Sequence, residues 1–146
     1  MSQHVPAALR RQVWDRAEGL CEYCLLHERD DWVGCQIEHI HSRKHGGRTS
    51  LANLALACLE CNIAKGSDLG SISRATGTLI PFYHPRRDKW TEHFRLQGHR
   101  IMPLTETGEV TCRILGFNAR PRLLKRQAIA AAGQYPSIEA LALLRE

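Results

Sequence analysis

The 146-residue chain has no apolar run long enough to cross a membrane, and its longest uncharged apolar stretch is residues 51–59. A membrane span takes roughly 18 such residues. Residues 1–6, Met-Ser-Gln-His-Val-Pro, hold no secretory hydrophobic core, and Arg10 and Arg11 break up the next stretch with charge. The expectation is therefore a soluble, cytoplasmic domain with no membrane partner. Internal repeats, low-complexity tracts and linker-like stretches are missing too, so residues 1–146 read as one domain. Hydrophobic residues at 43% and charged residues at 24% exclude wholesale disorder. A chain of this length buries roughly 68–70% of its unfolded surface and needs no disulfide staples.

Carboxylates are outnumbered, with 15 Asp and Glu against 20 Lys and Arg, a formal charge of +5. The surplus suits a polyanionic partner, but a moderately basic surface with no partner accounts for it as well. Residues 1–50 carry seven basic and seven acidic side chains, and residues 51–146 carry thirteen and eight. A polyanion-binding surface is expected to draw on the middle and C-terminal parts.

Four of the six cysteines form two Cys-x-x-Cys pairs, Cys21/Cys24 and Cys58/Cys61. A two-residue gap lets both thiolates of a pair reach one tetrahedral centre, and two pairs complete a Zn²⁺ shell. In an intracellular chain this pattern reads as metal before disulfide or redox dithiol. A closed four-cysteine shell leaves no position for substrate, so this zinc is structural. The long gap between the pairs requires something folded between them. Cys35 and Cys112 read as ordinary thiols, Cys112 alternating with Val110 and Ile114 on one strand face.

Residues 6–18 read as a helix opened by Pro6 and stopped by Gly19. Residues 34–40 and 54–58 read as short strands separated by a polar loop, and residues 60–65 as a brief helix ending at Gly66. Residues 79–83 look extended, and residues 85–94 contain a helical turn. Residues 101–104 and 110–115 flank Thr105-Glu-Thr-Gly-Glu109, a hairpin signal. Pro121 opens a helix to about Gly133, and Ser137 caps a last one over 138–145. The class is α+β, with a core at about 20–67 and a C-terminal hairpin-plus-helix elaboration at about 79–146.

Between the cysteine pairs lie Glu38-His39, Gly46-Gly47 and Asn53, and Asn62 stands just after the second pair. Adjacent strand residues point to opposite faces, so a metal on Glu38 leaves His39 free to handle a proton. An imidazole suits that task near neutrality. A carboxylate and an amide oxygen are hard ligands, appropriate to Mg²⁺ or Mn²⁺ with open positions for phosphate and water. A structural soft-metal site thus pins a hard-metal site.

At these residues the chain resembles the HNH endonucleases, the ββα-metal nuclease fold. The likeness covers about residues 21–66, with both zinc knuckles. It rests on the spacing of His39, Asn53 and Asn62, fourteen and then nine residues apart. The resemblance implies that His39 is the general base and that Glu38 and Asn62 hold one Mg²⁺ or Mn²⁺. Asn53 would hold the loop so that His39 presents the correct nitrogen. The products would be a 5′-phosphate and a 3′-hydroxyl, from DNA first and RNA as an alternative. Arg43, Lys44, Arg48, Lys65, Arg86 and Arg87 are candidate phosphate contacts.

The family usually has Asp where this chain has Glu38, one methylene longer. A shift of about an ångström at a reacting centre can cost roughly 10²-fold in rate. A second reading is therefore an inactive zinc-ribbon module that only binds nucleic acid, and a third is a nuclease toxin or defence effector. One centre cuts one strand, so a monomer would nick and a double-strand cut would need a dimer or a second event.

Overall fold

The computed structural model describes residues 4–146 and has α+β architecture. Helix α1 (Ala7–Ala17) follows Pro6 and ends with Glu18 and Gly19 in left-handed conformation. The chain then makes the first knuckle, and strand β1 (Cys35–His39) pairs antiparallel with β2 (Leu54–Cys58). The register sets Cys35 opposite Cys58, Glu38 opposite Ala55 and His39 opposite Leu54. Helix α2 (Leu59–Lys65) starts at once, its first turn capped by the Cys58 sulfur accepting from the Cys61 amide, and stops at Gly66. The order strand, strand, helix expected from the sequence is thus formed, with a cysteine pair bracketing each end. Arg16 of α1 reaches across to the Leu51 and Leu54 carbonyls at 2.9 and 2.6 Å, which docks α1 beside β2.

The second half departs from the sequence reading in three places. Strand β3 (Gly70–Ile72) pairs with β4 (Leu79–Pro81), so residues 70–72, to which the sequence reading assigns no element, are a hairpin arm. After a single-turn helix α3 (Trp90–His93) comes a hairpin of β5 (Phe94–Gln97) and β6 (Arg100–Pro103), turning at Gly98. The hairpin therefore precedes the expected one. Residues 105–115 are no hairpin but the start and body of helix α4 (Glu106–Leu115), capped by the Thr105 hydroxyl, which accepts from the Gly108 amide at 3.0 Å.

Cys112 accordingly sits on a helix, not on a strand face, buried with Gly108, Val110, Thr111 and Leu115. Gly108 reads as a turn residue, yet it lies in a helix and is glycine because a Cβ there would stand 2.2 Å from the His93 carbonyl oxygen. Helices α5 (Arg120–Ala131) and α6 (Ile138–Leu144) complete the chain. Ser137 caps α6 as expected, its hydroxyl accepting from the Ala140 amide at 3.2 Å.

One hydrophobic cluster joins the knuckles to the C-terminal part, running from Leu20, Tyr23 and Leu25 through Phe82 and Phe94 to Phe117, Tyr135 and Ala140. Its polar atoms are spent on the first knuckle. Trp90 Nε1–H donates to the Tyr23 carbonyl, and Tyr135 Oη–H donates to the Cys24 carbonyl, both at 2.8 Å. The C-terminal elaboration thus holds the backbone of the metal loop in place. No helix among the described residues is long and apolar enough to cross a membrane.

Candidate active site

The sulfurs of Cys21, Cys24, Cys58 and Cys61 all lie within 4.8 Å of one another, fully enclosed. Tetrahedral zinc with Zn–S of about 2.3 Å sets sulfurs about 3.8 Å apart, and Cys24 Sγ and Cys58 Sγ stand at 3.7 Å. Four buried thiols packed this closely without a disulfide fit a structural metal such as zinc. Arg122 of α5 donates to Cys61 Sγ at 3.0 Å. Burial alone would depress its pKa, but the charges of Cys61, Cys24 and Cys58 outweigh this and raise it. Sequence reasoning missed Arg122, since nothing in its local context marks it as a partner of residues sixty positions away.

The metal cluster fixes the start of α2, and α2 carries Asn62 to the end of β1. Glu38, His39 and Asn62 line one open cavity of about 450 Å³, together with Ser42, Lys44 and Ser67. Although both line this cavity, Glu38 and His39 have different partners. The Glu38 carboxylate accepts from the Tyr23 hydroxyl and lies 3.3 Å from Lys65 Nζ, whereas the His39 ring meets the Thr49 hydroxyl, Nε2 to Oγ1, at 2.8 Å. Burial raises the Glu38 pKa, against the opposing pull of Lys65 and Tyr23. The His39 pKa is lowered by burial first and then by the nearby charges of Arg43 and Lys65, which keeps the imidazole neutral around pH 7.

Asn53 is a clamp on the loop behind His39. Its Oδ1 accepts from the His41 amide at 2.9 Å, and its Nδ2 donates to the His41 and Arg48 carbonyls at 2.8 Å each. The loop closes so tightly that a Cβ at Gly47 would lie 1.7 Å from the His41 carbonyl oxygen. Glycine is therefore required there by close approach. His41 is used internally, its Nε2 bonded to the His45 carbonyl at 2.6 Å.

The basic candidates divide into three groups. Lys44 lines the His39 cavity, and exposed Arg43 donates to Thr49 Oγ1 at 3.2 Å. Arg48 and Arg87 line a separate cavity of about 550 Å³ with His41, Asn53 and His84. Lys65 and Arg86 are placed otherwise than expected. Lys65 is 2% exposed, and its ammonium is held by Glu38 and by the Ile40 carbonyl at 2.8 Å. Arg86 pairs with Glu22, whose other oxygen accepts from the Leu56 amide, so it braces the knuckle against β2. Thr49, Tyr23 and Lys65 in its actual role are invisible to sequence reading, because each acts through a contact made only after the chain folds back.

The donor set suits a hard cation. A carboxylate offers about four lone-pair positions, of which Tyr23 and Lys65 engage two. Asn62 donates through Nδ2 to Gln36 Oε1 at 2.7 Å, so its Oδ1 is left to coordinate. The Ser42 hydroxyl in the wall of the same cavity is buried and has no hydrogen-bond partner among the described residues, as expected of a pocket that receives a polar occupant.

The family model described as HNH endonuclease matches residues 21–68. This segment is an HNH domain. It spans both cysteine pairs, the β1–β2 pair and α2, and contains His39, Asn53 and Asn62 in the positions just described. Neither a curated protein nor a solved structure matches the chain.

Proposed function

We propose that the chain is a metal-dependent endonuclease that hydrolyses DNA phosphodiester bonds, with His39 as general base and Glu38 and Asn62 holding one Mg²⁺ or Mn²⁺. The observation that carries this reading is the shared cavity of Glu38, His39 and Asn62 inside the HNH domain. Thr49 Oγ1 already accepts from Arg43, and a second acceptance from His39 Nε2–H leaves Nδ1 to take the proton of the attacking water. Asn53 fixes the loop on which this geometry depends. Lys44 and Arg43 balance phosphate charge at the rim. A divalent ion held by Glu38 and Asn62 would supply Lewis acidity for the hydrolysis. The products are a 5′-phosphate and a 3′-hydroxyl, and a monomer nicks one strand.

One observation favours the second reading, a binding module without catalysis. Both Glu38 oxygens already have partners, in the buried Lys65 and Tyr23. The two readings separate in supercoiled-plasmid nicking with Mg²⁺, Mn²⁺ or EDTA, wild type against H39A. Metal-dependent open circles lost in H39A support the nuclease. Gel shifts without nicking under any ion support the binding module, and cleavage of RNA but not plasmid reassigns the substrate.

A further inference from the structure

A second groove, of about 600 Å³, lies along β1 at Cys35, Gln36 and Ile37, next to the His39 cavity at Ile37, Glu38 and His39. Its walls are α1 and β1, and His4, Arg10, Arg11, Trp14, Gln36 and Ile37 all line it; no Asp or Glu does. Ile37 lines both this groove and the His39 cavity, so the two adjoin along β1. The arginines of α1 have unequal duties. Arg16 is committed to two backbone carbonyls, whereas Arg10 and Arg11 are exposed and make no ion pair or side-chain hydrogen bond among the described residues. Trp14 is 39% exposed, and its indole N–H donates to Glu28, which fixes the ring in the groove wall.

We propose that this groove binds the DNA backbone next to the scissile phosphate, with Arg10 and Arg11 contacting phosphates and the Trp14 ring packing against the adjoining sugar or base. The proposal rests on the nuclease reading for its choice of DNA. It is carried by charge complementarity and by adjacency to the His39 cavity. The two strand residues from Glu38 to Gln36 span about 6.6 Å, about two nucleotide rises of 3.4 Å along one strand. A strand seated at His39 and running along β1 therefore reaches Arg10 and Arg11 within a few nucleotides. It also relocates part of the polyanion surface into residues 1–50, which are neutral only as a sum. Arg10 and Arg11 line the groove, whereas no carboxylate among the described residues does.

The test is equilibrium binding of zinc-loaded, full-length H39A to a short labelled DNA duplex across a salt series. R10Q/R11Q in that background is compared with R74Q/R145Q, which removes equal charge outside the groove. Loss of two phosphate contacts lowers affinity on the order of 10-fold and makes the slope of log K against log salt shallower by about 1.8. W14A weakens binding further, and W14F retains most of it. Unchanged affinity and slope in R10Q/R11Q, or an equal loss in R74Q/R145Q, overturns the proposal. Binding through Arg10 and Arg11 without any nicking by wild type sinks the nuclease reading and leaves the groove. Nicking undiminished at subsaturating DNA in R10Q/R11Q sinks the groove alone. Absence of duplex binding sinks both.

Discussion

Arg122 Nη2 stands 3.0 Å from Cys61 Sγ, so a cation from helix α5, outside the matched segment, touches the four-cysteine cluster. Four thiolates around Zn²⁺ carry excess negative charge in a buried site, and a guanidinium hydrogen bond offsets it. Outer-shell partners of this kind typically contribute 10–100-fold in metal affinity. R122Q is expected to lose zinc to a competing chelator at least about 10-fold more readily than wild type. The charge-transfer band of the cobalt-substituted protein should shift at the same time. Complete removal of zinc should unfold the domain, since such sites contribute on the order of 10 kcal/mol to folding. A folded circular-dichroism spectrum after chelation would contradict the cluster's structural role.

Lys65 and Glu38 form an ion pair with side chains 2% and 3% exposed. Removing one member of a buried pair leaves the other charge uncompensated, which costs about 3–5 kcal/mol. K65M should therefore destabilise strongly in chemical denaturation, because Glu38 must then be buried charged or take up a proton. The double variant K65M/E38Q, with no stranded charge, should recover a large part of that loss. If K65M and the double variant are equally destabilised, the pair is not coupled. The phosphate-contact role expected of Lys65 would instead predict an unaltered stability.

The first half of the fold is legible in the sequence because its signals are local and redundant. Two cysteine pairs, two short apolar runs and Gly66 each mark one boundary, and they agree. The second half misleads at Gly108 and at residues 110–115. Val110, Thr111, Cys112, Ile114 and Leu115 suit a strand by propensity, but Gly108, Thr111, Cys112 and Leu115 follow the i, i+3, i+4, i+7 spacing of a buried helix face. Glycine there reads as a turn residue, whereas its real cause is the His93 carbonyl pressed against the helix. At the site, the four-cysteine cluster is legible from its spacing. Thr49, Tyr23 and Arg122 are not, because a single polar residue carries no period or motif and is defined only by what it meets in the fold.

Glu139 of α6 ties the C-terminal helix to the segment after the first knuckle. Both its oxygens accept from Arg29 at 2.8 Å, and this holds its pKa down at about 2 from an ordinary 4.5. A carboxylate whose folded pKa is depressed contributes stability above its unfolded pKa and loses it as pH falls toward the folded one. E139Q should cost about 0.2–1 kcal/mol at pH 7, the range for a solvent-screened pair. The difference between wild type and E139Q in urea unfolding should shrink as pH falls below about 4.5, measured with H27Q in both backgrounds so that the imidazole 3.5 Å from Glu139 does not contribute. Protonation of the metal thiolates affects both proteins alike and cancels. A difference that grows on acidification would reverse the sign of the argument.

Thr49 holds His39 by the only side-chain hydrogen bond the imidazole makes among the described residues, Nε2 to Oγ1 at 2.8 Å. Without it the ring is free to turn, and the nitrogen that accepts the proton in the proposed nuclease is no longer fixed relative to the cavity. Misplacement of a catalytic group by about an ångström can cost roughly 10²-fold. The lost bond itself affects stability by only about 0.5–1.5 kcal/mol. T49V, nearly isosteric, should lower the nicking rate at saturating DNA by about 10–100-fold while leaving zinc content and the unfolding midpoint close to wild type. T49S keeps the hydroxyl and should restore most of the rate. A purely structural Thr49 would instead give T49V and T49S parallel losses in stability, with the rate constant per folded molecule unchanged.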